Sequence, residues 1–130
     1  MTTWYLDTSA ALKLIVEETE SESLARTITR QQPGLVACCL LETELRRAAA
    51  RHPELSQSMV LTLLDSVTLY DVPSSLFREA GLLPGTSLRS LDAIHLAAAL
   101  RLGADALVTY DVRMLEAAHE LGLHTLAPGT

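Results

Sequence analysis

Short apolar runs alternate along the chain with longer stretches in which apolar residues return every three or four positions. The short runs, bounded by Gly, Pro or Asp, predict buried strands, and the longer stretches predict helices. Trp4-Tyr5-Leu6 predicts a strand that ends at Asp7. Thr8 to Val16 predicts a helix with Ala10, Ala11, Leu14 and Ile15 as its apolar stripe, and Glu20 to Gln32 a second, more polar helix broken by Pro33-Gly34. Leu35 to Cys39 predicts a buried strand, Leu40 to Arg51 a helix closed before Pro53, Ser56 to Asp65 another helix, and Val67 to Val72 a strand. Pro73-Ser74-Ser75 opens a helix running to about Leu83, and Pro84-Gly85-Thr86-Ser87 is a loop. Leu91 to Leu102 predicts a helix closed by Gly103, Ala106 to Thr109 a strand, Met114 to Leu121 a helix ended by Gly122, and His124 to Leu126 a last strand. Strands that alternate with helices in this way imply an α/β fold with a parallel sheet. There is no internal repeat, low-complexity tract or domain boundary, so the 130 residues read as one domain.

The acidic residues fall at telling places on this frame. Asp7 and Asp111 each follow a short apolar strand. In a parallel sheet the carboxyl ends of the strands share one edge, and ligands bind there, so acids from opposite ends of the chain should meet. Each also suits the N-cap of the helix that follows it. Asp92 lies near the start of a helix that is apolar nearly all round. Such a helix is buried, and a buried carboxylate costs several kcal/mol unless a cation or hydrogen bonds meet it. Either a metal or Arg89, one turn earlier, supplies that partner. On the Leu40 to Arg51 helix, Leu40, Leu41, Leu45, Ala48 and Ala49 define the inward face. Glu44 falls within it and Glu42 on its far flank, so Glu44 needs either a metal or Arg47 at i+3.

Four acids from four elements make an oxygen-rich pocket. Without a paired His or a suitable Cys, such a donor set selects Mg²⁺ or Mn²⁺ over zinc. His95, one turn after Asp92, reads as a packed, hydrogen-bonded core residue rather than a ligand or base. The hydroxyls of Thr8, Ser9 and Thr109 either hold metal-bound water or cap helices.

Composition changes this picture little. The formal net charge is −6, against the basic face usual for a nucleic-acid binder, although carboxylates converging on metal would offset it. All the basic residues except Lys13 are Arg, the side chain suited to bidentate phosphate contact, though compositional bias explains that as well. A charged fraction of only 20% points to apolar surface covered by a partner. Cys38 and Cys39 are adjacent, a poor spacing for a disulfide or a zinc site, and read as buried thiols on a strand in a reducing compartment. The N-terminus shows no basic segment followed by an apolar run, and no stretch is long enough to cross a membrane, so a cytoplasmic protein is expected.

Taken in order, Tyr5-Leu6-Asp7-Thr8-Ser9-Ala10, Glu44-Leu45, Leu91-Asp92-Ala93-Ile94-His95-Leu96-Ala97 and Leu107-Val108-Thr109-Tyr110-Asp111 resemble PIN-domain proteins. They resemble most the VapC toxins of bacterial VapBC toxin–antitoxin modules, and the likeness covers essentially the whole chain. It implies a single PIN domain over residues 1–130, a three-layer α/β/α sandwich around a mostly parallel sheet. It implies Mg²⁺- or Mn²⁺-dependent endoribonuclease activity, with Asp7, Glu44, Asp92 and Asp111 as the metal-binding, catalytic acids. The implied partners are an RNA substrate, a VapB-type antitoxin whose C-terminal segment blocks the site, and a second copy in a homodimer. One position departs: where many relatives carry a further acid, two residues after the last motif Asp, this chain has Arg113. That puts a second metal in doubt and offers a cation to substrate phosphate or to an acidic group of the antitoxin.

Other classes fit less well. A haloacid-dehalogenase-type phosphotransferase also begins with a strand-end Asp, but needs a second Asp where Ser9 stands. No phosphate-binding glycine motif occurs. The remaining rival is a non-catalytic module that binds RNA or protein and uses its acids structurally.

Overall fold

A computed structural model describes all 130 residues. Five strands, β1 (Thr3–Leu6), β2 (Gly34–Cys38), β3 (Thr68–Tyr70), β4 (Ala106–Val108) and β5 (Thr125–Leu126), form one sheet in the order β3-β2-β1-β4-β5. Every pairing is parallel. Seven helices fill the connections: α1 (Thr8–Lys13), α2 (Ser21–Gln31), α3 (Leu40–Arg51), α4 (Gln57–Asp65), α5 (Ser74–Gly81), α6 (Ser90–Leu102) and α7 (Val112–Glu120). Parallel crossovers are right-handed. The steps β1 to β2 to β3 run one way across the sheet, whereas β3 to β4 to β5 run the other way. The first set of helices therefore covers one face and the second set the opposite face. The packing agrees: α1 and α4 both pack on α3, and α5 and α7 both pack on α6. This is the three-layer α/β/α arrangement expected.

The core lies on both faces of the two central strands. Tyr5, Leu6, Leu107 and Val108 are completely buried, which is why β1 and β4 read as continuous apolar runs rather than alternating ones. Leu41 and Leu45 of α3 and Leu96 of α6 are completely buried in the same core, and both helices pack on β2. No helix is long and apolar enough to cross a membrane.

Three expectations need correction. The first helix stops at Lys13, not Val16: the Ser21 hydroxyl captures the Val16 carbonyl, and the chain turns back so that Glu18 and Glu20 reach the Lys13 ammonium. The third strand spans only Thr68–Tyr70, because its sole partner, β2, ends at Cys38 opposite Tyr70. That same ending moves Cys39 off the sheet. Cys38 is buried, but Cys39 opens α3 and is exposed, with its thiol facing the Asp71 carboxylate at 3.6 Å.

Gly103 ends α6 in the left-handed region, at φ +63°. A Cβ there would meet nothing within 4 Å, so any penalty for adding one is backbone strain alone. Gly103→Ala is expected to cost about 1–2 kcal/mol, a drop of roughly 3–8 °C in the melting temperature. Gly103→Asn should cost less, because Asn tolerates this conformation better. Equal melting curves for wild type and Gly103→Ala would contradict this reading.

Candidate active site

The sheet order reverses direction between β1 and β4, making that gap the switch point at which open parallel sheets bind ligands. Leu6 pairs with Val108, so the residues just beyond, Asp7 and Thr109, meet at the carboxyl edge. Asp7 is 3% exposed. Its Oδ1 accepts from the Ser9 hydroxyl at 2.7 Å and the Ala10 N–H at 3.0 Å, and its Oδ2 from the Thr109 hydroxyl at 2.5 Å. Burial pushes its pKa up, and the three donors pull against that. Asp7 is therefore both the N-cap of α1 and a buried acid at the sheet edge, the two roles that its sequence position allowed.

Asp111 joins the same network. Its own N–H donates to the Thr109 hydroxyl at 3.2 Å, and the Tyr110 N–H donates to the Ser9 hydroxyl at 2.9 Å. Its carboxylate caps α7, accepting from the Arg113 N–H at 2.9 Å, and the Arg113 Nε stands 3.8 Å away. Acids from the two ends of the chain are thus brought together through two hydroxyls.

Glu44 enters from α3, and its partner is not Arg47, which is exposed and unpaired. The Thr8 hydroxyl donates to Oε1 at 2.7 Å, and His95 Nε2 bonds the same oxygen at 2.5 Å. Burial would raise the Glu44 pKa, but these bonds outweigh it and hold the carboxyl below its usual range. His95 is 1% exposed; its Nδ1 lies 2.7 Å from the Tyr5 hydroxyl and 3.9 Å from the Cys38 sulfur. Burial would push the imidazole down, but its bonds to Cys38 and Glu44 prevail and push its pKa up to about 10. The direction favours the protonated ring beside the Glu44 carboxylate.

Asp92 sits in the first turn of α6, half-buried, without any hydrogen bond or ion pair. Arg89 does not reach it: that residue is the exposed N-cap of α6 and pairs with nothing. Burial raises the Asp92 pKa, and the negative charges of Asp111 and Glu44 raise it further, while His95 and Arg113 only partly offset them. So Glu44, Asp92 and Asp111 share one neighbourhood, with Asp7 linked to it through Thr109 and Ser9. No group of three or more His, Cys, Asp or Glu side chains stands close enough to hold a metal ion by itself. The donors at hand are carboxylates, the type taken by an ion that keeps several waters and uses only one or two carboxylates directly. The unpartnered Asp92 among like charges is the feature that fits a divalent cation.

Sequence reasoning missed the work of the hydroxyls and of Tyr5. Thr8, Ser9 and Thr109 grip carboxylates, and Tyr5 anchors His95. Two signals were available: Asp92 and His95 stand at i and i+3 on one helix, and Tyr5 and Asp7 point to the same side of β1. Arg46 is taken up by Glu42 and Gln57. An apolar cleft of about 340 Å³ between α5 and α6, lined by Phe77, Leu83, Leu88 and Ile94, borders none of the four acids.

A five-stranded parallel sheet between two helical layers, with acids gathered at its switch point, defines a class, and residues 4–120 match the PIN domain. The chain belongs to the PIN-domain family. It is 41% identical over 126 residues to Ribonuclease VapC46 of Mycobacterium tuberculosis, covering 95% of this chain and 96% of the relative. It is 39% identical over 130 residues to Ribonuclease VapC35 of the same organism, covering 96% of each. Its fold is shared with a toxin–antitoxin complex from Klebsiella pneumoniae, at a TM-score of 0.73 and 16% identity, covering 95% of this chain and 96% of that one.

Proposed function

We propose that this chain is a divalent-metal-dependent endoribonuclease, the toxin of a VapBC-type pair, with Asp7, Glu44, Asp92 and Asp111 as its metal-binding, catalytic acids. The observation that carries the reading is Asp92, a half-buried carboxylate beside Asp111 and Glu44 that makes no hydrogen bond or ion pair and whose charge His95 and Arg113 offset only in part. The ribonuclease names of the relatives support the reaction class. Bound Mg²⁺ or Mn²⁺ supplies a water of lowered pKa and neutralises charge that builds on the phosphoryl oxygens.

The chain's own residues prepare that site. Ser9, Thr109 and the Ala10 N–H fix Asp7 in one rotamer, and Thr8 and His95 do the same for Glu44. Asp111 is held by its cap, next to the Arg113 guanidinium, which on this reading meets a substrate phosphate or an acidic group of the antitoxin. Exposed Arg47, Arg51 and Arg89 track the RNA backbone on either side. The partners on this reading are a VapB-type antitoxin, in keeping with the toxin–antitoxin complex of the same fold, and a second copy of the chain. The enzyme then acts in the cytoplasm, where its RNA is.

Without metal the acids repel a phosphodiester, so a divalent ion is needed for binding as well as for chemistry. Purified protein is expected to cut RNA and to retain it in a filter-binding assay with Mg²⁺ or Mn²⁺. Both properties should disappear with EDTA and return when the metal is restored in excess. RNA binding at full strength in EDTA, with no cleavage under any condition, would favour the non-catalytic binding module instead.

A further inference from the structure

The four residues Thr8, His95, Tyr5 and Glu44 come from β1, α1, α3 and α6, and they meet in an asymmetric way. Both donors to Glu44 take the same oxygen, Oε1. Oε2 makes no hydrogen bond within the protein, and it is not among the buried unpartnered atoms. Behind the imidazole, His95 Nδ1 lies 2.7 Å from the Tyr5 hydroxyl, and that hydroxyl accepts from the Cys38 N–H at 3.1 Å. The Tyr5 and His95 rings meet edge to face, with centroids 5.7 Å apart. The imidazole cannot swing away from Glu44 without breaking its bond to Tyr5 inside the core.

We propose that Thr8, His95 and Tyr5 form a positioning relay that pins Glu44 Oε1 and presents Oε2 alone to the metal. This rests on the reading of Glu44 as a metal-binding acid and adds which oxygen binds and what fixes it. The physical gain is pre-organisation. A free Glu side chain carries substantial rotamer entropy, which ordering on metal binding would cost. Held from Oε1, the carboxylate is already oriented before the ion arrives. Outer partners of metal ligands act in this way, and losing one typically lowers metal affinity by 10–100-fold. None of the three residues needs to touch metal or RNA.

The test is Mn²⁺ affinity of the purified chain, read from the EPR signal of free Mn²⁺, with melting temperature recorded for each metal-free variant. Thr8→Val keeps the shape and removes one donor. His95→Gln keeps a neutral donor and removes the link to Tyr5. Tyr5→Phe removes only the anchor. Thr8→Val and His95→Gln are expected to weaken Mn²⁺ binding by about tenfold or more, and Tyr5→Phe by a smaller factor in the same direction. Should His95→Gln fail to fold, Thr8→Val and Tyr5→Phe still decide. Lower melting temperatures with wild-type Mn²⁺ affinity would show that these residues only support the core, and would overturn the relay. Asp92→Asn is the control for the underlying reading: if wild type itself binds no Mn²⁺, the metal site fails, whereas normal binding in wild type, lost in Asp92→Asn and unchanged in Thr8→Val, sinks the relay alone.

Discussion

Asp92→Asn is expected to abolish cleavage while leaving the metal-free protein as stable as wild type, or more so. Two opposing effects set the stability. Asp92 lies in the first turn of α6, where a negative charge gains roughly 0.3–1 kcal/mol from the helix dipole. Against that stand its burial and the repulsion from Asp111 and Glu44, both of which favour the neutral form. Removing the charge relieves the second set at the expense of the first. For activity there is no such balance. Carboxylate-held metal supplies several kcal/mol of charge stabilisation in the transition state, and at 1.36 kcal/mol per tenfold the loss is about 10³-fold in rate. The matching equilibrium readout is thermal. Mn²⁺ at a hundredfold excess over its Kd stabilises the native state by about 2.7 kcal/mol, roughly 8–12 °C for a chain of this size. That rise should appear in wild type and largely vanish in Asp92→Asn. A variant that melts well below wild type without metal would mark Asp92 as a structural residue and remove the main support for the metal site.

Asp7 should behave differently, because it serves the fold as well as the chemistry. Asp7→Ala removes the N-cap of α1, at a cost of about 0.5–2 kcal/mol. It also strands the Ser9 and Thr109 hydroxyls that donate to the carboxylate, and buried donors without an acceptor cost about 1–3 kcal/mol. The sum, about 1.5–5 kcal/mol, is a drop of roughly 5–20 °C in the melting temperature. Asp7→Asn keeps one carbonyl oxygen for the Ala10 N–H and the Ser9 hydroxyl, and the Thr109 hydroxyl can turn to accept from the new amide. It also removes a charge that burial disfavours. Its stability should lie close to that of wild type, yet cleavage should fall about as far as in Asp92→Asn. Differential scanning calorimetry beside a single-turnover RNA assay separates the two roles. Equal stability of Asp7→Ala and Asp7→Asn would show that the cap and the hydroxyls contribute little. Undiminished cleavage in Asp7→Asn would remove Asp7 from the metal-binding acids.

Much of this architecture was legible along the chain. Apolar runs alternating with helical periodicity determined the order of β1 to β5 and α1 to α7, because period and turn residues are local properties. A strand followed at once by Asp is local too. Once the sheet was known to be parallel, Asp7 and Asp111 had to share its carboxyl edge. Inward placement of Glu44 followed from helical angle alone, and so did the burial of His95 on an apolar helix. The adjacent cysteines were misjudged because exposure of Cys39 depends on where β2 runs out of partner, and no local pattern records the length of a ladder.

Only the tertiary structure decided how the acids are held. Thr8 reaches Glu44 across 36 positions and Thr109 reaches Asp7 across 102, and a hydroxyl's choice of partner over such separations depends on packing that periodicity does not encode. The arginines nearest in sequence, Arg47 to Glu44 and Arg89 to Asp92, were natural partners on paper, yet both are left in water. A long cationic side chain on the outer surface gains little from a partly buried carboxylate if reaching it means leaving solvent. Composition and pattern thus determined that four acids would face one edge of the sheet. The folded chain decided that Asp7 and Glu44 are gripped by hydroxyls and a buried imidazole, that Asp7 and Asp111 cap helices, and that Asp92 has no partner of its own.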